Sequence, residues 1–454
     1  MKFREEKDTM GTVRIPEDAY YGPQTRRAIE NFPVSGLTLP AAFIHALALI
    51  KQCSARVNLD LELLKKDISK AIVQAAGEVM EGEFNDQFVV DVFQTGSGTS
   101  TNMNMNEVIA SRANEILTGR KGGKAPVHPN DHVNLGQSSN DVIPSTIHVS
   151  AWTSITGRLI PSLALLHQTM LQKALEFDQI KKIGRTHLQD AVPLSLGQEF
   201  SGYARQIELG VARIKAVEER LTELAIGGTA VGTGLNTHPD FAAKVIALIS
   251  EYAGLAFRPA KNRFEAQAAR DAAVETSGAL KTIAVSLVKI ANDIRWLASG
   301  PRCGLGEITI PELQPGSSIM PGKVNPVIPE AVIQVAAQVM GNDTTIMLGG
   351  QGGNFELNAM LPVIAYNLLQ SIFLLAAAAN IFAEKCIGGI SANRETCAAF
   401  IEKSLALATA LVPHIGYDRA AAIAKKAHET GKTIRQIASQ ENILPADILN
   451  KLFF

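Results

Sequence analysis

Leu280, Ile283, Leu287, Ile290, Ile294 and Leu297 follow one another at intervals of 3, 4, 3, 4 and 3 residues. That spacing holds a narrow apolar stripe on one face of an α-helix, and predicts a helix packed along a coiled-coil-like seam. Traced back to Gln267, the helix ends at Leu297 and spans about 45 Å at 1.5 Å per residue. Broader helical patterns fall at 41–58, 61–82, 104–117, 141–174 with a bend at Pro161, 194–224, 240–254, 330–346 and 357–385. A tail of shorter helices, 390–454, is joined at Gly389, Pro413–Gly416, Gly431 and Pro445. Residues 1–40 are punctuated by Gly11, Pro16, Gly22, Pro23, Pro33, Gly36 and Pro40, so irregular structure is expected there.

Alternating strand–helix units are missing from this pattern, which makes the fold class mainly α with a central bundle of long helices. The expected divisions are a mixed, mostly helical N-terminal domain (1–137), a central long-helix bundle (138–390) and a small C-terminal helical domain (391–454). Apolar helices of this length exceed what one subunit covers, so oligomerisation through the bundle is expected. One stretch, Leu357 to Ala383, holds no charged residue and is long enough to cross a bilayer. Pro362, Asn367, Gln370, Ser371 and Asn380 interrupt it and basic flanks are lacking, which favours a buried bundle helix and no membrane partner.

Composition narrows the function classes. With 43 basic and 44 acidic side chains in 454 residues, the chain has no overall electrostatic footprint for nucleic acid. Any anion must be bound locally. Cys53, Cys303, Cys386 and Cys397 lack metal or disulfide spacing, which fits a reducing compartment and no metal or other cofactor. The N-terminus has no apolar signal core, so cytoplasm is the expected location.

Candidate chemistry gathers in polar segments at predicted helix starts. The segment 315–330, Pro-Gly-Ser-Ser-Ile-Met-Pro-Gly-Lys-Val-Asn-Pro-Val-Ile-Pro-Glu, is too rich in Gly and Pro for regular structure. It nevertheless carries two hydroxyls, an ammonium, an amide and a carboxylate, as a loop closing over a small anion would. Gln94–Glu107 and His128–Asp141 place small hydroxyls and free N–H groups before helices, where a carboxylate can be cradled. Ile183–Pro193 is a further polar segment, containing Gly-Arg-Thr-His. Gly227–Gly234 lacks the phosphate-loop pattern and follows a helix, so a nucleotide site is not expected.

Gly-Ser-Ser-x-Met-Pro-x-Lys-x-Asn-Pro resembles the signature loop of the fumarase/aspartase superfamily, whose enzymes eliminate a group β to a carboxylate and release fumarate. The resemblance runs from about residue 5 to the end and is nearest to the class II fumarases. It implies a homotetramer whose active sites are each shared between three subunits, and a small dicarboxylate substrate. By position it makes Ser317 the base that removes the C3 proton of malate, with Lys323 stabilising the dianionic intermediate. His187, paired with Glu330, handles the C2 hydroxyl or its water. Ser97, Gly98, Thr99, Ser138, Ser139, Asn140, Thr186, Ser318, Val324 and Asn325 hold substrate. His128, Pro129, Asn130 and Asp131 match an accessory dicarboxylate site.

Two other readings stay open on these residues. Aspartate ammonia-lyase shares the fold and the product, but typically has glutamine where His187 stands. A non-catalytic helical scaffold is the alternative of another class, although it would have no need for the complete polar set.

Overall fold

The computed structural model describes residues 2–453. Helices dominate, and they fall where apolar periodicity placed them: Ala41–Asp60, Lys66–Met80, Thr99–Thr118, Ser139–Ser154, Ile160–Glu176, Leu196–Lys215, Phe241–Ala253, Asp271–Leu297, Val327–Gly350 and Leu361–Lys385. All six seam residues from Leu280 to Leu297 are buried, so the 3–4 spacing does mark the packed face.

Boundaries differ from expectation where backbone geometry intervenes. The seam helix begins at Asp271 because Ala269 is extended (ψ 153°), separating it from a short Arg263–Ala268 helix. The irregularity expected at Pro161 is a π-helical segment, Ile155–Leu159, one turn earlier. The helix expected over 194–224 stops at Lys215 and is followed by a single turn, Glu218–Leu221.

The N-terminal forty residues are more ordered than the Gly and Pro content suggested. Phe3–Asp8 and Gly11–Pro16 form an antiparallel hairpin, and Pro23–Asn31 is a helix opened by its proline. Val13 and Ile15 point inward between exposed Thr12 and Arg14, a two-residue alternation that signals a half-buried strand. Arg4 locks the hairpin by donating to the carbonyls of Pro16, Ala19 and Tyr21.

The described residues gather into two compact units, each drawn from separate stretches of chain. One comprises residues 2–161, 211–284 and 335–376; the other comprises residues 162–210, 285–334 and 377–453. Within the second, Ile401, Leu411, Ile423, Ile434, Ile437 and Phe453 form an apolar cluster of the C-terminal helices. The uncharged stretch becomes Leu361–Lys385 preceded by a short strand, Leu357–Asn358. That helix is long and apolar enough to cross a membrane, but 61% of its most apolar window is buried within the protein. This is the pattern of a bundle core.

Candidate functional site

In the first unit, two polar loops converge. The Thr99–Thr118 helix starts five residues earlier than the sequence pattern suggested, with Gly98 as its left-handed N-cap (φ 73°). A Cβ there would lie 3.0 Å from Ile143, so glycine is required by both conformation and space. Ser97 Oγ lies 2.8 Å from Thr99 Oγ1, which lies 2.7 Å from Ser139 Oγ. This chain of hydroxyls brings residues 97–99 and 138–140 together at two adjoining helix N-termini, an arrangement suited to a carboxylate.

The second loop is held from below. Ser138 caps the Ser139–Ser154 helix in a reciprocal capping box with Asp141. The fully buried Asp141 carboxylate accepts from Ser138 N, Gly227 N and Thr229 N, each at 2.9 Å. Burial outweighs these donors and raises Asp141 to about 6. Asn140 Nδ2 donates to the Ala230 carbonyl at 2.8 Å. The glycine-rich 227–234 stretch, excluded as a phosphate loop, thus serves as a brace for this corner.

Lys51 lies beneath the same loop. Its ammonium, wholly buried, donates to Asn134 Oδ1 at 2.9 Å and Gln137 Oε1 at 3.0 Å. Burial pulls it down from 10.5 to about 7, with Asp141 opposing. Over that interval the unfolded chain binds the proton and the folded chain does not, so this group makes stability rise with pH from about 7 to about 10. Lys51→Met is expected to flatten that rise, measured as thermal midpoints of wild type and variant from pH 6.5 to 9.5. Parallel curves would refute a buried, titrating lysine. Lys51 was overlooked in the sequence, yet a single lysine inside the apolar run Ala41–Cys53 is a usable signal.

In the second unit, residues 181–195 form a β-hairpin, Lys181–Thr186 with Gln189–Ser195, where only a polar segment was expected. Thr186 pairs with Gln189, leaving His187 and Leu188 as a two-residue turn with φ 56° and 59°. Both positive angles are what a type I′ hairpin turn demands, normally from Asn and Gly. His187 sits exposed at the tip, beside Leu188, which is 68% exposed. Thr186 is exposed too.

The 315–330 segment is a loop that closes on itself. Gly316 N donates to Lys323 O at 2.8 Å, and Asn325 Nδ2 donates to Gly316 O at 2.7 Å. A Cβ on Gly316 would lie 2.5 Å from Lys323 O, so the closure needs glycine. Ser317 Oγ accepts from the N–H groups of Ile319 (3.2 Å) and Met320 (3.1 Å). Ser318 and Lys323 are exposed, whereas Val324, Asn325 and Glu330 are partly buried. Glu330 falls in the first turn of the Val327–Gly350 helix, where the dipole favours its charge. Lys323, Val324 and Glu330 line a cleft of about 550 Å³ with Arg295, Trp296 and Ile310. Among the described residues of one chain, no hydrogen bond or ion pair joins Glu330 to His187.

The accessory set forms its own turn. Pro129 opens a π-helical turn, Pro129–Val133, capped by His128. His128 Nδ1 accepts from Asn130 N and Asp131 N, both at 3.2 Å, which leaves Nε2 as the ring's outward donor in the neutral form. Pro129 is buried and Asn130 and Asp131 are exposed. Desolvation lowers the neighbouring His132, whose Nδ1 accepts from His128 N.

Known proteins share this fold. Residues 11–341 match the family described as Lyase, and residues 407–453 match the one described as Fumarase C C-terminus. The class II fumarate hydratase of Nitrosomonas europaea is 56% identical over 446 residues, covering 98% of this chain and 96% of that protein. The mitochondrial fumarate hydratase 1 of Arabidopsis thaliana is 54% identical over 452 residues, covering 99% of this chain and 92% of that protein. The crystal structure of the class II fumarase from Schistosoma mansoni superposes with a TM-score of 0.96 at 41% identity, covering 100% of this chain and 98% of that one. The chain belongs to the class II fumarase family.

Proposed function

We infer that this chain is a fumarate hydratase, interconverting fumarate and L-malate in the tricarboxylic acid cycle. The observation that carries the reading of its chemistry is the seat of Ser317. A serine hydroxyl is a poor carbon base because its anion is costly in water. Here two main-chain N–H groups already point at Oγ, and N–H donors that bond the anion favour it. Ser317 removes the C3 proton of malate. The resulting aci-carboxylate is a dianion, stabilised by the Lys323 ammonium, the Asn325 amide and Ser318. Val324 shapes the wall of this end of the site. His187, assisted by Glu330, protonates the departing C2 hydroxyl, or in the reverse direction activates the attacking water. Ser97, Gly98, Thr99, Ser138, Ser139, Asn140 and Thr186 hold the carboxylates.

The site is completed by other subunits of a homotetramer, with three chains contributing to each. Support comes from the exposure of the groups that must meet substrate, and from exposed apolar side chains such as Leu188, Ile319, Met347 and Leu348. His128, Pro129, Asn130 and Asp131 form a separate, accessory dicarboxylate site. The cytoplasm is the proposed location.

The test is to follow fumarate by its ultraviolet absorbance after adding L-malate or L-aspartate, with and without EDTA. Fumarate is expected from malate alone, undiminished by the chelator. Release from aspartate would instead identify an ammonia-lyase, and loss of activity in EDTA would reveal a metal requirement. Light scattering on the same sample checks for the tetramer.

A further inference from the structure

The hairpin that presents His187 is anchored by a cluster of buried charge. Arg185, two residues before the histidine, donates its fork to Glu307, with Nη1 to Oε2 at 2.9 Å and Nη2 to Oε1 at 3.0 Å. Glu307 is fully buried. Lys182, from the same strand, bridges Glu199 at 2.7 Å and Glu307 at 3.3 Å. The guanidinium of Arg185 also lies over the Phe400 ring, 5.7 Å from its centroid, and Phe400 belongs to the Arg394–Lys403 helix. The backbone of Glu307 is fixed in turn, because its carbonyl accepts from Asn393 N at 2.8 Å.

The strand is irregular where this anchor attaches. Register shifts between Ile183 and Arg185, with Gly184 facing the two residues Ala191 and Val192 of the return strand, and a Cβ on Gly184 would lie 2.6 Å from Val192 O. A bulge of this kind re-aims the side chains that follow it. The hairpin tip on the far side of it carries Arg185, Thr186 and His187. The imidazole is therefore presented by a two-residue turn of left-handed backbone, which has no hydrogen bond of its own to a neighbouring side chain among the described residues. Its direction is set by the strand below, and the strand is set by a two-point, charge-assisted fork.

We propose that Arg185 is a positioning residue for the reaction: its bidentate pair with Glu307, backed by Phe400, fixes the angle of the hairpin and so aims His187. The C-terminal helices thereby take part in catalysis without touching substrate. This rests on the role given to His187 above. Neither Arg185 nor Glu307 needs to reach the substrate for the effect, since displacing a catalytic group by about 1 Å costs on the order of 100-fold.

Arg185→Gln, His187→Asn and the double variant test it by steady-state kinetics with malate and fumarate, alongside tetramer mass and thermal midpoint. Arg185→Gln is expected to lower kcat about 100-fold with KM changed less than about threefold, because of the carboxylate-holding residues only Thr186 lies on this hairpin and the 97–99, 138–140 and 315–325 loops are untouched. Arg185→Lys recovers part of that loss, since it keeps the charge but not the fork. In the His187→Asn background, Arg185→Gln is expected to cost nothing further. The same factor lost in both backgrounds, or wild-type kcat in Arg185→Gln, overturns the proposal while leaving the role of His187 intact. Wild-type activity in His187→Asn removes that role and the proposal with it. Should Arg185→Gln fail to assemble, Arg185→Lys carries the same comparison in both backgrounds.

Discussion

Ser317→Ala is expected to lower kcat by about 10² to 10⁴, the range for losing a positioned general base. KM for malate should change little, because Lys323, Asn325 and the 97–99 and 138–140 loops remain. The substitution removes Oγ but leaves the two N–H groups of Ile319 and Met320 that face it. A second readout separates the carbon base from the oxygen chemistry. Malate incubated in deuterated water exchanges a C3 hydrogen through the carbanion, and the variant should lose this exchange together with turnover. Retention of more than about a tenth of kcat, with exchange intact, would hand the proton abstraction to another group.

The second large effect falls on stability. Asp141→Ala removes the acceptor shared by three buried N–H groups, on Ser138, Gly227 and Thr229. Each orphaned donor costs about 1–3 kcal/mol, so a loss on the order of 4 kcal/mol is expected in urea unfolding. Asp141→Asn should be harmed as well, since an amide offers only one oxygen and turns N–H groups against the backbone donors. Because Asp141 fixes both the cap at Ser138 and the brace at residues 227–229, KM should rise in whatever folded fraction remains. Wild-type unfolding midpoints for Asp141→Ala would show that water accepts from these N–H groups instead.

How far the sequence disclosed these features depended on the range of the interaction. The seam from Leu280 to Leu297 was legible because helix burial repeats every three to four residues, and all six side chains are indeed buried. The 315–330 loop was legible as a loop because glycine and proline act locally. The hairpin over residues 3–16 carried its alternation at Val13 and Ile15, but among glycines and prolines that read as irregular structure. The 181–195 hairpin has polar, exposed positions and a turn without glycine or asparagine, so neither alternation nor turn chemistry announces it. Long-range partnerships were hidden for a different reason. Arg185 and Glu307 are 122 residues apart, and Lys51 and Asn134 are 83 apart. Nothing in a local pattern pairs a buried charge with its partner at that distance.

The left-handed turn at His187 and Leu188 also bears on protein engineering. Two consecutive side-chain-bearing residues with positive φ are an expensive way to close a two-residue hairpin, by about 1–2 kcal/mol each. Turn statistics would recommend Asn-Gly at this place, and such a swap would very simply tighten the hairpin. It would also delete the imidazole. Thermostabilisation guided by backbone preference alone would therefore improve the protein's resistance to heat by discarding the imidazole proposed as the acid–base group, and libraries aimed at heat tolerance should keep positions 187 and 188 fixed.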